Sequence, residues 1–249
     1  MWQTLLAVAF WVAVWQGLAV CIGHNGLFLA TPLQTVQTLW RLLPTADFWH
    51  RVGFSALRIL TGFVLAVTVG LLLGACGARW RWFGTLVGPV MQLIRAMPVA
   101  SFVILALLWV RSANLSVIVS FTHVLPVVYA GVLGGIADTD PKLLEMAKVY
   151  RLPLTARLRY IWLPGIFASF GESCIAAMGM CWKSGVSAEV IGLPDHSVGD
   201  ALYRAKITIS TPEVFAWTLV IVLLSATLST LAAWALRRAK RALCGEVEG

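Results

Sequence analysis

Charge is what this 249-residue chain has least of: Asp, Glu, Lys and Arg make up 12% of it, against about 25% in soluble globular domains. Hydrophobic residues make up 59%, and the mean hydropathy is +0.85. A core of this size cannot hide that much apolar surface, so lipid must be the solvent for much of the exterior. Chemical signatures are scarce too. The chain has no GxSxG, no HExxH and no paired-Asp constellation, which leaves an intramembrane enzyme without a nucleophile–base pair or metal ligands. It has no Gly-rich phosphate loop, so any nucleotide must bind on another chain. The five cysteines (Cys21, Cys76, Cys174, Cys181 and Cys244) form no CxxC, and four lie in apolar runs. They read as small buried hydrophobes rather than a disulfide frame or metal site. Acidic residues are outnumbered 11 to 19, for a net charge of +8. Such a balance suits nucleic acid, but it equally suits the Lys and Arg that gather on the cytoplasmic side of membrane proteins. The hydropathy favours the second, and no nucleic-acid partner is expected.

What the chain has is long apolar runs. A span needs about 20 apolar residues, and six candidates occur: 4–23, 55–77, 92–110, 115–136, 164–190 and 213–236. The runs are continuous and do not alternate with polar residues, which predicts helices and not a barrel. The fold class is therefore all-α, a polytopic membrane protein with about six transmembrane helices in a single domain, 1–249. Residues 1–50 form an extra span and an outer segment, and residues 51–236 form the core. The first run lacks a basic leader and reads as an uncleaved span.

With the amino terminus inside, the inner segments hold eleven basic residues, among them Arg79, Arg81, Lys142, Lys148, Arg157 and Arg237. The outer segments hold five: Arg41, Arg51, Arg111, Arg204 and Lys206. The bias predicts that both termini and the 137–163 loop are cytoplasmic. Trp80, Trp82, Trp162 and Trp234 inside, with Trp109 and Trp217 outside, read as the interfacial belt. Gly62, Ala66, Gly70 and Gly74 recur every fourth residue and form a small-residue stripe for close helix packing. Pro32 to Leu43 reads as an amphipathic helix on the outer face, and Asp195 or Ser197 caps a short helix in the second outer segment.

Within 137–163, Asp140 is an N-cap and Pro141 a first-turn residue. Leu143, Leu144, Ala147 and Tyr150 share one helical face, and Leu152-Pro153 breaks the helix. A second short helix, basic through Arg157 and Arg159, leads to Leu163-Pro164. The expected product is a helix–turn–helix knob with an apolar face and a charged rim; the helix pattern alone fits equally an ordinary amphipathic inner loop and a knob that docks in a groove of another protein and transmits a push.

The run Glu145 to Pro164 also resembles the coupling loop of ABC-importer permeases, whose pattern is Glu-Ala-Ala, three residues, Gly, nine residues, Ile-x-Leu-Pro. Glu145, Ala147, Ile161, Leu163 and Pro164 match it. Met146 replaces the first Ala and Arg151 the Gly. Gly would permit a left-handed turn there, so either the turn is rearranged or Arg151 contacts the partner. Ser55 to Phe63 and Pro89 to Pro98 are similar to two further elements of that family, and Glu189 stands where it often has an acidic residue. The branch most resembled is that of nitrate, sulfonate, taurine and bicarbonate permeases, some relatives of which are assigned to thiamine precursors.

The resemblance implies the type I importer (MetI-like) fold and a non-catalytic transport subunit of the bacterial inner membrane. It implies two ABC ATPase subunits, a second permease copy or paralogue, and an extracytoplasmic solute-binding protein that delivers a small anionic solute. No cofactor is expected on this chain; ATP and Mg are used by the ATPase. The coupling residues implied are Glu145, Ala147, Tyr150, Arg151, Leu163 and Pro164.

Charge inside the bilayer is expensive and marks candidate functional residues. Glu172, Lys183 and Glu189 lie on the run 164–190. Glu172 and Lys183 are eleven residues and about 16 Å apart on one helix face. Lys183, with Trp182 and Ser184, is a candidate to line a translocation path and meet an anion; alternatively it sits at the outer interface or pairs with Glu189 or another span. Glu189 and Glu172 are further path candidates. His123, near Pro126, is either a path residue or an interhelix contact. Arg95 is read as bonding freed carbonyls or snorkelling to the inner surface, and Arg58 as an outer-interface anchor. A channel or purely structural subunit would not require the knob.

Overall fold

A computed structural model describes residues 2–22 and 29–244. Every regular element among them is helical. In chain order these are α1 (Trp2–Ile22), α2 (Pro32–Leu42), α3 (Ala46–Arg79), α4 (Arg81–Ala96), α5 (Val99–Ala106) and α6 (Ser112–Ala137). They continue with α7 (Pro141–Val149), α8 (Leu154–Arg157), a π-helical turn (Leu158–Trp162), α9 (Leu163–Gly192), α10 (Val198–Ile207) and α11 (Thr211–Cys244).

The helix starts follow from local chemistry. Thr31 and Gln34 form a reciprocal capping box before α2, with Gln34 N–H donating to Thr31 Oγ1 at 3.2 Å and Thr31 N–H to Gln34 Oε1 at 3.0 Å. Thr45 caps α3 and Asp140 caps α7. Of the two candidates ahead of α10, Ser197 is the cap, its Oγ accepting from Asp200 N at 2.9 Å.

The small-residue stripe decides how the centre packs. Gly62, Ala66, Gly70 and Gly74 are all buried. A Cβ on Gly70 would lie 2.9 Å from Val128, and one on Gly74 would lie 2.7 Å from Val132. Gly62 faces Val117 and Ser120 in the same way. Contacts therefore advance together along α3 and α6, so the two helices run parallel. On the other flank Gly131 meets Ser173, Gly135 meets Ile166 and Gly192 meets Leu115, so α6 and α9 are antiparallel. Gly179 faces Ser229, and Trp182 Nε1 donates to the Ile221 carbonyl at 3.0 Å, which sets α11 antiparallel to α9.

Because α3 and α6 are parallel, residues 80–111 must carry the chain back to the starting side. The expected span 92–110 does not do this as one helix. It divides into α4 and α5, inclined at 102° to one another. Pro98 supplies no N–H and holds Met97 extended (φ −71°, ψ 129°), which ends α4. Pro89 is absorbed within α4 without ending it. Among the described residues four helices (α1, α3, α6 and α11) are each long and apolar enough to cross a membrane. The count reaches six when α4 with α5, and the bent stretch through α9 (40° between Thr155–Phe167 and Ser169–Gly192), are each taken as one span. The outward faces of α1, α3 and α11 are largely exposed and apolar, as lipid contact requires.

Two details depart from expectation. Trp217 is buried and stacks on Phe48 (centroids 5.3 Å), so it packs the core instead of joining an interfacial belt. Cys21 is exposed and Cys76 half-buried, whereas Cys174 and Cys181 are buried; Cys244 lies outside the described side chains.

Candidate functional site: a knob between α6 and α9 and an open face of α9

The knob is built from a strained turn and one arginine. α7 ends in a Schellman arrangement: Leu152 N–H donates to the Ala147 carbonyl at 3.0 Å and Arg151 N–H to the Lys148 carbonyl at 3.1 Å. The motif needs a left-handed residue, and Arg151 supplies it at φ 48°. The turn that a glycine would make is thus kept, not rearranged. Arg157 then reaches back from α8, its Nη2 donating to the same Ala147 carbonyl at 3.1 Å. This braces the two short helices against each other.

Ala147 is fully buried in the brace and Leu144 is half-buried. Leu143, Met146, Val149 and Tyr150 are exposed, at 43%, 43%, 78% and 74%, beside an exposed Glu145. The expected shared face therefore divides: Leu144 and Ala147 turn toward the chain, and Leu143 and Tyr150 turn away. The backbone of Leu163 and Pro164 begins α9, but their side chains lie outside the described ones. Where the knob joins the bundle, Gly135 and Gly165 allow close approach, and Ser169 Oγ donates to Asp138 at 3.3 Å.

α9 is enclosed on most of its girth, yet Glu172, Ala176, Met180, Lys183 and Ser187 are all exposed. Their spacing of three and four places them on one stripe. Glu172 and Lys183 thus share an open face, as their spacing predicts. The neighbours of Lys183 do not. Trp182 is buried, and Ser184 is buried with its Oγ donating to the Cys181 carbonyl at 3.1 Å. His123 is half-buried, its Nδ1 3.0 Å from the Val119 carbonyl and its ring against Phe102.

Glu189 is wholly buried. Its Oε2 accepts from Ser55 Oγ at 2.7 Å and from Gly199 N at 3.3 Å, while Ser55 Oγ also accepts from Val198 N at 2.9 Å. The carboxylate thus sits at the amino end of α10, where free N–H groups and the helix dipole favour negative charge. It ties α3, α9 and α10 together, and it does not pair with the exposed Lys183. Nearby, Asp200 receives Arg51 at 3.0 Å and Arg204 at 2.8 Å, a second clamp between α3 and α10. Arg58 stacks on Phe54, its Cζ 3.7 Å from the ring centroid. Sequence reasoning marked Ser55 only within a motif and read Arg58 as an outer-interface anchor, and it missed the Arg51–Asp200 pair because nothing local signals a contact 149 residues away.

Between α4, α6 and α9 lies a cleft of about 320 Å³. Arg95, Ser169, Glu172 and Ser173 line it with Val127, Ala130, Gly131 and Gly134. Arg95 therefore enters a cleft shared with Glu172, a placement the proline spacing around it did not suggest.

A bent multi-pass helical bundle with a braced knob at one end is the body of a membrane transport component. The chain belongs to the family described as binding-protein-dependent transport system inner membrane component, which it matches over residues 52–243. It is similar to an Escherichia coli K12 protein named as the aliphatic sulfonates transport permease SsuC, at 29% identity over 220 residues, covering 84% of this chain and 82% of that one. It is also similar to the nitrate import permease NrtB of Synechococcus elongatus, at 23% identity over 92% of this chain and 86% of the relative. The taurine transport system permease TauC of Escherichia coli K12 is 23% identical over 97% of this chain and 89% of its own length. In fold it resembles a crystal structure of an amino acid ABC transporter with histidines, with TM-score 0.53 and 20% identity, covering 78% of this chain and 99% of that one. The chain is thus an ABC-importer permease of the nitrate, sulfonate and taurine branch, a non-catalytic multi-pass subunit of the inner membrane.

Proposed function

We propose that this permease forms half of the path for a small anionic solute of the nitrate, sulfonate or taurine type, received from an extracytoplasmic binding protein. Movement is driven by a separate ATPase that uses ATP and Mg. The knob of α7 and α8 is the coupling element, on the cytoplasmic side that the basic-residue bias assigns. The observation that carries this is the exposed apolar face of Leu143, Met146, Val149 and Tyr150 beside Glu145 on a braced turn. Such a face, rigidly held, suits a groove on a partner, and a rigid connection into α9 passes on displacement. Two copies of the chain, or this chain and a paralogue, would pair with two ATPase subunits.

Within this proposal Lys183 and Glu172 line the path, because both stand on the open stripe of α9. His123 lies at the corresponding level of α6. Ser184 and Glu189 organise the wall from behind. A solute of the thiamine-precursor type is the alternative cargo from the same branch, and the cationic Lys183 on the open stripe favours the anion.

Co-purification tests the coupling assignment. Glu145→Lys and Ala147→Glu should remove the ATPase from the purified complex and abolish uptake, while membrane insertion persists. Retained ATPase association together with normal solute-stimulated hydrolysis would refute the assignment.

A further inference from the structure

The stretch 48–137 contains no Asp or Glu, and its cations are six arginines. Arg51 is clamped by Asp47 and Asp200, Arg58 stacks on Phe54, Arg95 enters the cleft, and Arg111 stands alone before α6. The remaining two form a pair. Arg79 closes α3 and Arg81 opens α4, with only Trp80 between them. Both are exposed, and neither guanidinium enters an ion pair or hydrogen bond among the described residues.

The fold keeps these two charges together. Gly77 and Gly84 let the helices cross closely at the turn: a Cβ on Gly84 would lie 3.0 Å from the Gly77 carbonyl oxygen. Trp80 is extended (φ −120°, ψ 105°), and two extended steps span roughly 7 Å. Two arginine side chains rooted that close reach a single phosphate, for which their planar forks are suited. Trp80 and Trp82 beside them are 49% and 68% exposed, and Leu72 on α3 with Leu86 and Val90 on α4 continue as exposed apolar surface. Since α3 runs parallel to α6, this tip lies at the knob end of the bundle, where a spanning helix meets the membrane surface. Uncompensated guanidinia, then indoles, then bare apolar helix reproduce the layers of a lipid: phosphate, glycerol ester and acyl chain. A soluble anion would use only the first layer.

We infer that the α3–α4 tip binds an anionic phospholipid, its headgroup phosphate held between Arg79 and Arg81 and its acyl chains against the exposed sides of α3 and α4. The site is separate from the α7–α8 knob and from the cleft, and it requires no assumption about cargo. Arg95 stands in the last turn of α4, so the lipid anchors the start of the helix that forms one wall of the cleft.

Native mass spectrometry of the permease–ATPase complex, after exchange into equimolar phosphatidylglycerol and phosphatidylcholine, reads the retained lipid directly. The unaltered complex is expected to retain phosphatidylglycerol at least tenfold over phosphatidylcholine, since each basic residue at an anionic surface gives about fivefold. Arg79→Gln with Arg81→Gln should erase that preference. Arg79→Lys with Arg81→Lys keeps the charge that orients the chain, and should lose at least threefold because an ammonium lacks the bidentate fork. Arg237→Gln with Arg238→Gln removes the same charge at the same end of the bundle, beside the exposed Trp234. That control should stay within twofold of the unaltered complex. No preference in the unaltered complex, or an equal loss from the two glutamine pairs, would overturn the inference. So would displacement of the lipid by millimolar glycerol phosphate, which marks a site for soluble phosphate instead. Should the glutamine pair at 79 and 81 fail to assemble, the lysine pair carries the test, and an undiminished preference there would overturn it as well.

Discussion

Ser55 Oγ donates to Glu189 Oε2 at 2.7 Å across 134 residues of sequence, and the same oxygen accepts from Val198 N at 2.9 Å. One hydroxyl thus connects α3, the end of α9 and the start of α10. Removing it leaves the buried Val198 N–H without its partner and takes from Glu189 Oε2 the shorter of its two donors, leaving Gly199 N at 3.3 Å.

Ser55→Ala should therefore destabilise by about 1–3 kcal/mol, the range for a buried polar group left unsatisfied. The loss should be local before it is global. Hydrogen exchange should quicken over Val198–Ile207, while the amides of α6 stay protected. Unchanged exchange in α10 would show that the tie carries no weight.

Arg151 holds a left-handed backbone at φ 48°, which costs an L-residue about 1–2 kcal/mol. Arg151→Gly should raise the thermal midpoint. Arg151→Ala keeps the strain and removes only the charge, so it should leave the midpoint near that of the unaltered protein. Comparing ATPase association in the two variants separates backbone from charge: a loss in both marks Arg151 as a partner contact. A lower midpoint for Arg151→Gly would contradict the turn described above.

Gly62 abuts the backbone carbonyl of Val117, which cannot rotate away as a side chain can. Gly62→Ala should force α3 and α6 apart at a cost of about 1–3 kcal/mol. Gly53, on the same helix, has nothing within 4 Å of an added Cβ. Gly53→Ala should be neutral or stabilising by up to about 1 kcal/mol through helix propensity. Detergent-resistance midpoints for the pair provide the check, and equal effects at both positions would argue against the parallel α3–α6 packing.

The spans, the stripe and the knob were legible because each rests on local periodicity. Apolar runs of membrane length, small residues every fourth position, and Asp140-Pro141 followed by Leu152-Pro153 all act within a few turns. The division of 92–110 was less legible. Pro98 announces a break, but the 102° turn depends on how α5 packs against α9. Among the site residues, the common face of Glu172 and Lys183 followed from helix geometry. The inward turn of Ser184 and the enclosure of Glu189 did not, because which side of α9 is covered depends on α3, α6 and α11. Arg157 looked like one more basic residue, and only the folded-back turn shows it bracing Ala147.

By itself the sequence determined that the chain is a helical membrane protein with a capped, proline-broken segment between two spans, because burial in lipid and helix capping are decided by neighbours along the chain. The tertiary structure alone decided which faces are shared and which stay open: the parallel run of α3 and α6, the clamp around Glu189, and the cleft that holds Arg95 and Glu172. Those depend on close approach between residues far apart in sequence, and close approach is set by the shape of packed helices, which no local pattern encodes.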